Sequence, residues 1–135
     1  MVSAPYGWIL ITPGRLNGGA NVNMAVYYNI ATSSEPASYT FTFVGSSPPA
    51  VLGVINFAGV DPNNPLDVAN GMYGSVPTSN VLTPSITTTV NNAMIVASFG
   101  NRNTDTWTPP TEMTEQIDKA AGTVFIISNQ RARWC

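Results

Sequence analysis

Seven carboxylates, three indoles and no imidazole define the chemistry open to this chain of 135 residues. Without histidine there is no Ser-His-Asp or Cys-His nucleophile, and no metal site built on imidazole. Cys135 is the single cysteine, so no disulfide can close within the chain. Acid–base hydrolysis of a glycoside needs two carboxylates facing each other across a cleft. Glu35, Asp61, Asp67, Asp105, Glu112, Glu115 and Asp118 show no such spacing, although Glu112 and Glu115 are placed to approach Asp105 across the turn from Trp107 to Pro110. Lys119 is the only lysine and no Ser-x-x-Lys precedes it, which leaves a serine or threonine nucleophile without a base. No residue is assigned a catalytic role, and the chain is expected not to be an enzyme.

Two constellations remain. In Asp61-Pro62-Asn63-Asn64-Pro65-Leu66-Asp67, carboxylates and amide oxygens crowd into one loop, and Asp61, Asn63 and Asp67 are candidate hard-oxygen ligands for Ca²⁺. The spacing is not that of an EF-hand. The simpler reading is preferred: Asp and Asn cap turns by accepting from nearby backbone N–H groups while the prolines fix the loop. Apart from Ca²⁺, no cofactor is expected. The second constellation is aromatic. Trp107 and Tyr73 lie near turns, with Asn103 and Asp105 close to Trp107, and a sugar ring stacks on such an exposed face while amides and carboxylates bind its hydroxyls. Against this stands ordinary packing, in which Trp8 and Trp107 plug the ends of a β-sandwich. Arg131 and Arg133 beside Trp134 form no basic patch, so no nucleic-acid partner is expected.

The elements that must position these groups follow from composition. Hydrophobic residues make up 44% and charged residues 9%, against about 25% charged in an ordinary soluble domain. The 15 Thr, 11 Ser and 14 Asn must carry solubility through hydroxyls and amides instead. The longest nearly apolar run, Ala50 to Val60, is too short to span a bilayer, and the first residues lack the cationic head and apolar stretch of a signal peptide. One domain over residues 1–135 is expected, with no insertion into a membrane.

Period-two alternation dominates. Ser38-Tyr39-Thr40-Phe41-Thr42-Phe43-Val44 puts aromatics on one face and hydroxyls on the other, as a half-buried strand does. Met24, Val26, Tyr28 and Ile30 form a second stripe opposite Ala25, Tyr27 and Asn29. Further strands are expected over Gly7–Thr12, Ala50–Ala58, Ser85–Val90, Ala93–Phe99 and Thr123–Ser128, the last apolar on both faces as in the middle of a sandwich. Turns are expected at Asn17-Gly18-Gly19 and Val90-Asn91-Asn92-Ala93, and a short helical turn near Asn64–Asn70. Pro5-Tyr6-Gly7-Trp8 and Pro110-Thr111-Glu112-Met113 share a Pro-x-x-large-apolar layout. The fold class is all-β, an antiparallel, jelly-roll-like β-sandwich.

Four segments carry a resemblance: Ala25-Val26-Tyr27-Tyr28; Ala31-Thr32-Ser33-Ser34-Glu35-Pro36-Ala37-Ser38-Tyr39-Thr40-Phe41-Thr42-Phe43; Gly59-Val60-Asp61 with Asn64-Pro65-Leu66-Asp67; and Trp107-Thr108-Pro109-Pro110. Together they resemble a module of large secreted, surface and virion-associated proteins of bacteria and phages. The resemblance implies a jelly-roll-like sandwich without catalytic residues, placed extracellularly or on a virion, and it covers Tyr6 to about Ile117. Similar modules have strands before the part matching Pro5 and a different final segment. That implies open sheet edges at the segment through Ile11 and at Thr123–Ser128, completed by copies of the chain or by other structural chains. The leading expectation is therefore a structural or decorating subunit. Glycan binding through Trp107 and Tyr73 is the alternative.

Overall fold

The computed structural model describes residues 2–17, 23–43, 50–73, 80–101, 106–119 and 124–131; over 14–17 and 124–131 it describes the backbone alone. Every regular element among them is a strand: β1 (Val2–Ser3), β2 (Ile9–Asn17), β3 (Asn23–Ile30), β4 (Thr42–Phe43), β5 (Val51–Ala58) and β6 (Val124–Arg131). The protein is all-β. Two strands pair in one sheet, β1 with β4, and four in the other, in the order β2-β3-β6-β5.

The antiparallel expectation holds for β1 with β4 and for β2 with β3. The pair β2–β3 forms a hairpin whose expected Asn17-Gly18-Gly19 turn falls largely outside the described residues. β6 pairs in parallel with both of its neighbours. It is thus interior to the sheet, a place that suits a strand with an apolar run on both faces. This corrects the reading of Thr123–Ser128 as an open edge: among the described residues the sheet's edges are β2 and β5.

Register decides which side chains share a face. Leu10 sits opposite Tyr27, and Ile9 opposite Tyr28. Tyr28, Ser128 and Ile55 form one row across β3, β6 and β5, and Asn29, Asn129 and Asn56 form the next. Neighbouring residues in a row point to the same side, so Leu52, Val54 and Asn56 belong to the face of Tyr27 and Asn29. Val51, Gly53 and Ile55 belong to the face of Tyr28.

Each face is covered over a different half. On the β2–β3 half, the Tyr27 face carries the buried cluster of Val2, Trp8, Ala25 and Tyr27, with Leu10, Tyr39, Phe41 and Phe43 packed around it. Trp8 meets Tyr39 and Phe41 edge-to-face, at ring-centroid distances of 5.1 and 5.2 Å. Tyr27 donates its hydroxyl to the Val2 carbonyl at 3.3 Å, and Asn29 donates its amide to the Tyr39 hydroxyl at 3.2 Å. Tyr27 is 4% exposed and Trp8 8%. Burial of Trp8 agrees with the packing role preferred for it. On the β5 half, the opposite face is covered: a Cβ on Gly53 would lie 3.0 Å from Ile117 Cδ1.

The stripe of Ala25, Tyr27 and Asn29 is the fully buried one, while Met24, Val26, Tyr28 and Ile30 are half-buried. Size did not decide this, because the aromatic cover from Trp8 and Phe41 lies on the Tyr27 side. The Ser38–Val44 alternation points its aromatics inward as expected, yet only Thr42 and Phe43 are paired in a ladder. Ser85–Val90 and Ala93–Phe99 form no ladder, and Asn64–Asn70 contains no helical turn. The Asn91-Asn92 turn is present, with Asn92 at φ 61°. Both Pro-x-x-large segments close as turns: Trp8 N–H donates to the Pro5 carbonyl at 3.3 Å, and Met113 N–H to the Pro110 carbonyl at 2.9 Å.

Candidate functional site

The Asp61–Asp67 loop follows β5 through Gly59, whose φ of 78° is open to glycine at little cost. Asp61 Oδ1 accepts the Asn63 N–H at 2.9 Å, an Asx turn. That donor, with further ones from Asn63 and Asn64, holds the Asp61 carboxyl below the usual carboxylate range. Asp67 reaches a different part of the chain. Its carboxylate accepts the Thr89 hydroxyl and, at 2.7 Å, the Thr89 N–H, and these donors, the hydroxyl first, lower its pKa. Nearby, Asn70 donates its amide to the Ser85 carbonyl at 3.4 Å. The partners 67/89 and 70/85 advance in opposite directions, so the two segments run antiparallel, joined by side chains rather than by a backbone ladder.

These contacts are those of turn-capping acids. Asp61, Asn63 and Asp67 lie in one exposed loop. The two carboxylates face different tasks, one closing the loop on itself and the other stapling it to the turn beyond Ser85. Among the described residues no group of three or more Asp, Glu, His or Cys side chains converges.

Trp107 is half-buried. Its backbone N–H donates to Asp118 Oδ2 at 3.1 Å, and its ring stacks on Phe99 at 5.7 Å with 27° between planes. One face of the indole is therefore occupied by protein. Trp107, Phe99 and Asp118 line, with Val51, Gly53, Ile117 and Lys119, a cavity of about 30 Å³. That is room for about one water molecule, whereas small-molecule pockets run to about 300–1,000 Å³. Tyr73, 48% exposed, is not part of this lining. Asn103 and Asp105 lie outside the described residues, as does any approach of Glu112 and Glu115 to Asp105. Phe99 and Asp118 were missed as partners of Trp107. Phe99 ends the apolar stripe of 93–99 and was a detectable signal; Asp118 had none.

A common pattern links four of the seven acids. Glu35 accepts the Thr32 N–H at 2.5 Å, as Asp61 accepts that of Asn63, Asp67 that of Thr89 and Asp118 that of Trp107. Each serves a backbone donor that no strand ladder satisfies, the accounting that irregular chain requires. Among the described residues no helix is long and apolar enough to cross a membrane. Comparisons with protein-family models, with curated proteins and with solved structures find no match.

Proposed function

We propose that this chain is a non-enzymatic structural or decorating subunit of an extracellular assembly, a phage virion or a bacterial surface structure, and that its all-β fold is a jelly-roll-like sandwich completed by neighbouring chains. One observation carries the reading. The described chain fully buries only four hydrophobic side chains, yet between positions 81 and 96 it leaves Val81, Leu82, Ile86, Val90, Met94, Ile95 and Val96 exposed, Leu82 at 78% and Met94 at 61%. Exposed apolar side chains gathered in one stretch of chain support an interface there. Low charge lets such faces meet without desolvating ions, and the resemblance to virion and surface modules supports the extracellular placement. The partners are copies of this chain or other structural chains.

A second reading, glycan binding, has the exposed Tyr73 ring in its favour. Light scattering on a size-exclusion column over a range of concentrations tests the first. A mass of several chains that persists on dilution is expected. A monodisperse monomer throughout overturns the reading and turns attention to Tyr73 and glycans.

A further inference from the structure

We infer that the outer edge of β5 is a self-pairing surface, where β5 of a second copy adds antiparallel and joins two four-stranded sheets into one of eight. The inference rests on the self-assembly just proposed and adds to the 81–96 surface a second contact, at a sheet edge. The two edges of the sheet differ. β2 carries Pro13, which offers no N–H, the charged residue Arg15, and a register shift between Leu10 and Arg15. These are the devices by which natural sheets blunt an edge. β5, with the sequence Val-Leu-Gly-Val-Ile-Asn-Phe-Ala, has no proline and no charge and keeps unbroken register with β6 over all eight residues. No described residue hydrogen-bonds to its far side.

The side chains add to the open ladder. Leu52 and Val54 are 43% and 48% exposed on the face where the aromatic cluster stops at β3. The opposite face of β5 is covered by Ile117. An added strand therefore gains backbone hydrogen bonds and an apolar face together, the mode of strand addition.

A second copy of this chain is the occupant that fits. A two-fold axis normal to the sheet makes the pairing antiparallel and keeps each face on its own side, so every residue meets one of the same parity: where Val54 meets Val54, Leu52 meets Asn56. In that register the exposed Val54 packs on its own equivalent. Because β5 is uncharged, two copies approach without like-charge repulsion.

The test uses the full chain and three variants. Val54→Lys places like charges across the strand pair and is expected to raise the dissociation midpoint by about tenfold or more. Leu82→Lys, on the exposed 81–96 surface, is expected to leave the β5 contact in place. Val54→Cys in a Cys135→Ser background is expected to give a covalent dimer on mild oxidation, and decides the question should Val54→Lys fail to fold by circular dichroism. An oligomer indifferent to Val54→Lys, with no covalent dimer from Val54→Cys, overturns the β5 contact while self-assembly stands. A monomeric wild-type chain overturns both.

Discussion

Trp8 offers the sharpest test of the packing argument, through two substitutions that should differ widely. Its indole is nearly enclosed between Tyr39 and Phe41, and its Nε1–H is buried with no hydrogen-bond partner among the described residues. Trp8→Ala removes the whole ring and leaves a cavity, at a cost of about 4 kcal/mol. Trp8→Phe keeps the edge-to-face contacts and loses roughly three ring atoms. The lost transfer energy is about 1.5 kcal/mol and the residual cavity costs about 1 kcal/mol more. It also removes an unsatisfied buried donor, whose burial costs about 1–3 kcal/mol. The gains and losses nearly cancel, and a net change within about 1 kcal/mol is expected. For a domain of this size that is a shift in Tm of at most about 4 °C, against 12 °C or more for Trp8→Ala. Thermal and urea unfolding followed by circular dichroism measure both. If Trp8→Phe costs about 3 kcal/mol or more, the N–H is satisfied, by the face of a neighbouring aromatic ring, and the reasoning fails.

Three further outcomes are expected. Asp67 has a depressed pKa, so the folded chain binds fewer protons than the unfolded one in the window below the ordinary Asp value of about 3.9; stability from its tie to Thr89 is present above that value and is lost as pH falls through the folded pKa. Tm measured from pH 5 to pH 2 should fall more steeply for the wild type than for Asp67→Asn, and identical profiles would remove the linkage. Asn92, at φ 61°, should accept glycine within about 0.5 kcal/mol but lose about 1–2 kcal/mol as Asn92→Val, measured by urea unfolding. Millimolar Ca²⁺ should leave Tm unchanged, because Asp61 and Asp67 already accept from backbone donors; a rise of several degrees, abolished by Asp61→Asn, would restore the loop as a cation site.

Alternation in the sequence located β3 and β5 almost to the residue, and the doubly apolar Thr123–Ser128 marked β6 as a strand, although the resemblance put it at an open edge. Strand direction was not legible. Parallel and antiparallel ladders draw on the same backbone donors and acceptors, and only the three-dimensional path brings β6 alongside β3. Ser85–Val90 and Ala93–Phe99 show the limit from the other side. Their pattern implies strands, but a pattern names no partner, and these segments form no ladder among the described residues. The turn between them was legible from Asn91-Asn92 because Asn tolerates positive φ. In the candidate site, Asp61 and Asp67 were readable as turn caps from their types alone. That Asp67 caps a turn 22 positions away was not, since nothing local records a distant donor.

The place of β6 has a consequence for how the chain reaches its fold. Tyr28 and Ser128 are neighbours in the sheet yet 100 positions apart, and Val51 and Val124 are 73 apart. During synthesis the β2–β3 hairpin and β5 emerge first, and neither can find its shared partner until residues 124–131 follow. Closing loops of that length lies on the slow side of folding, and in the interval β3 and β5 both present unpaired apolar edges. Strand insertion between two waiting strands makes the last-made element the one that unites the sheet. Loss of β6 should therefore leave separate fragments prone to aggregate, and folding rate should depend more on residues 124–131 than on the early hairpin.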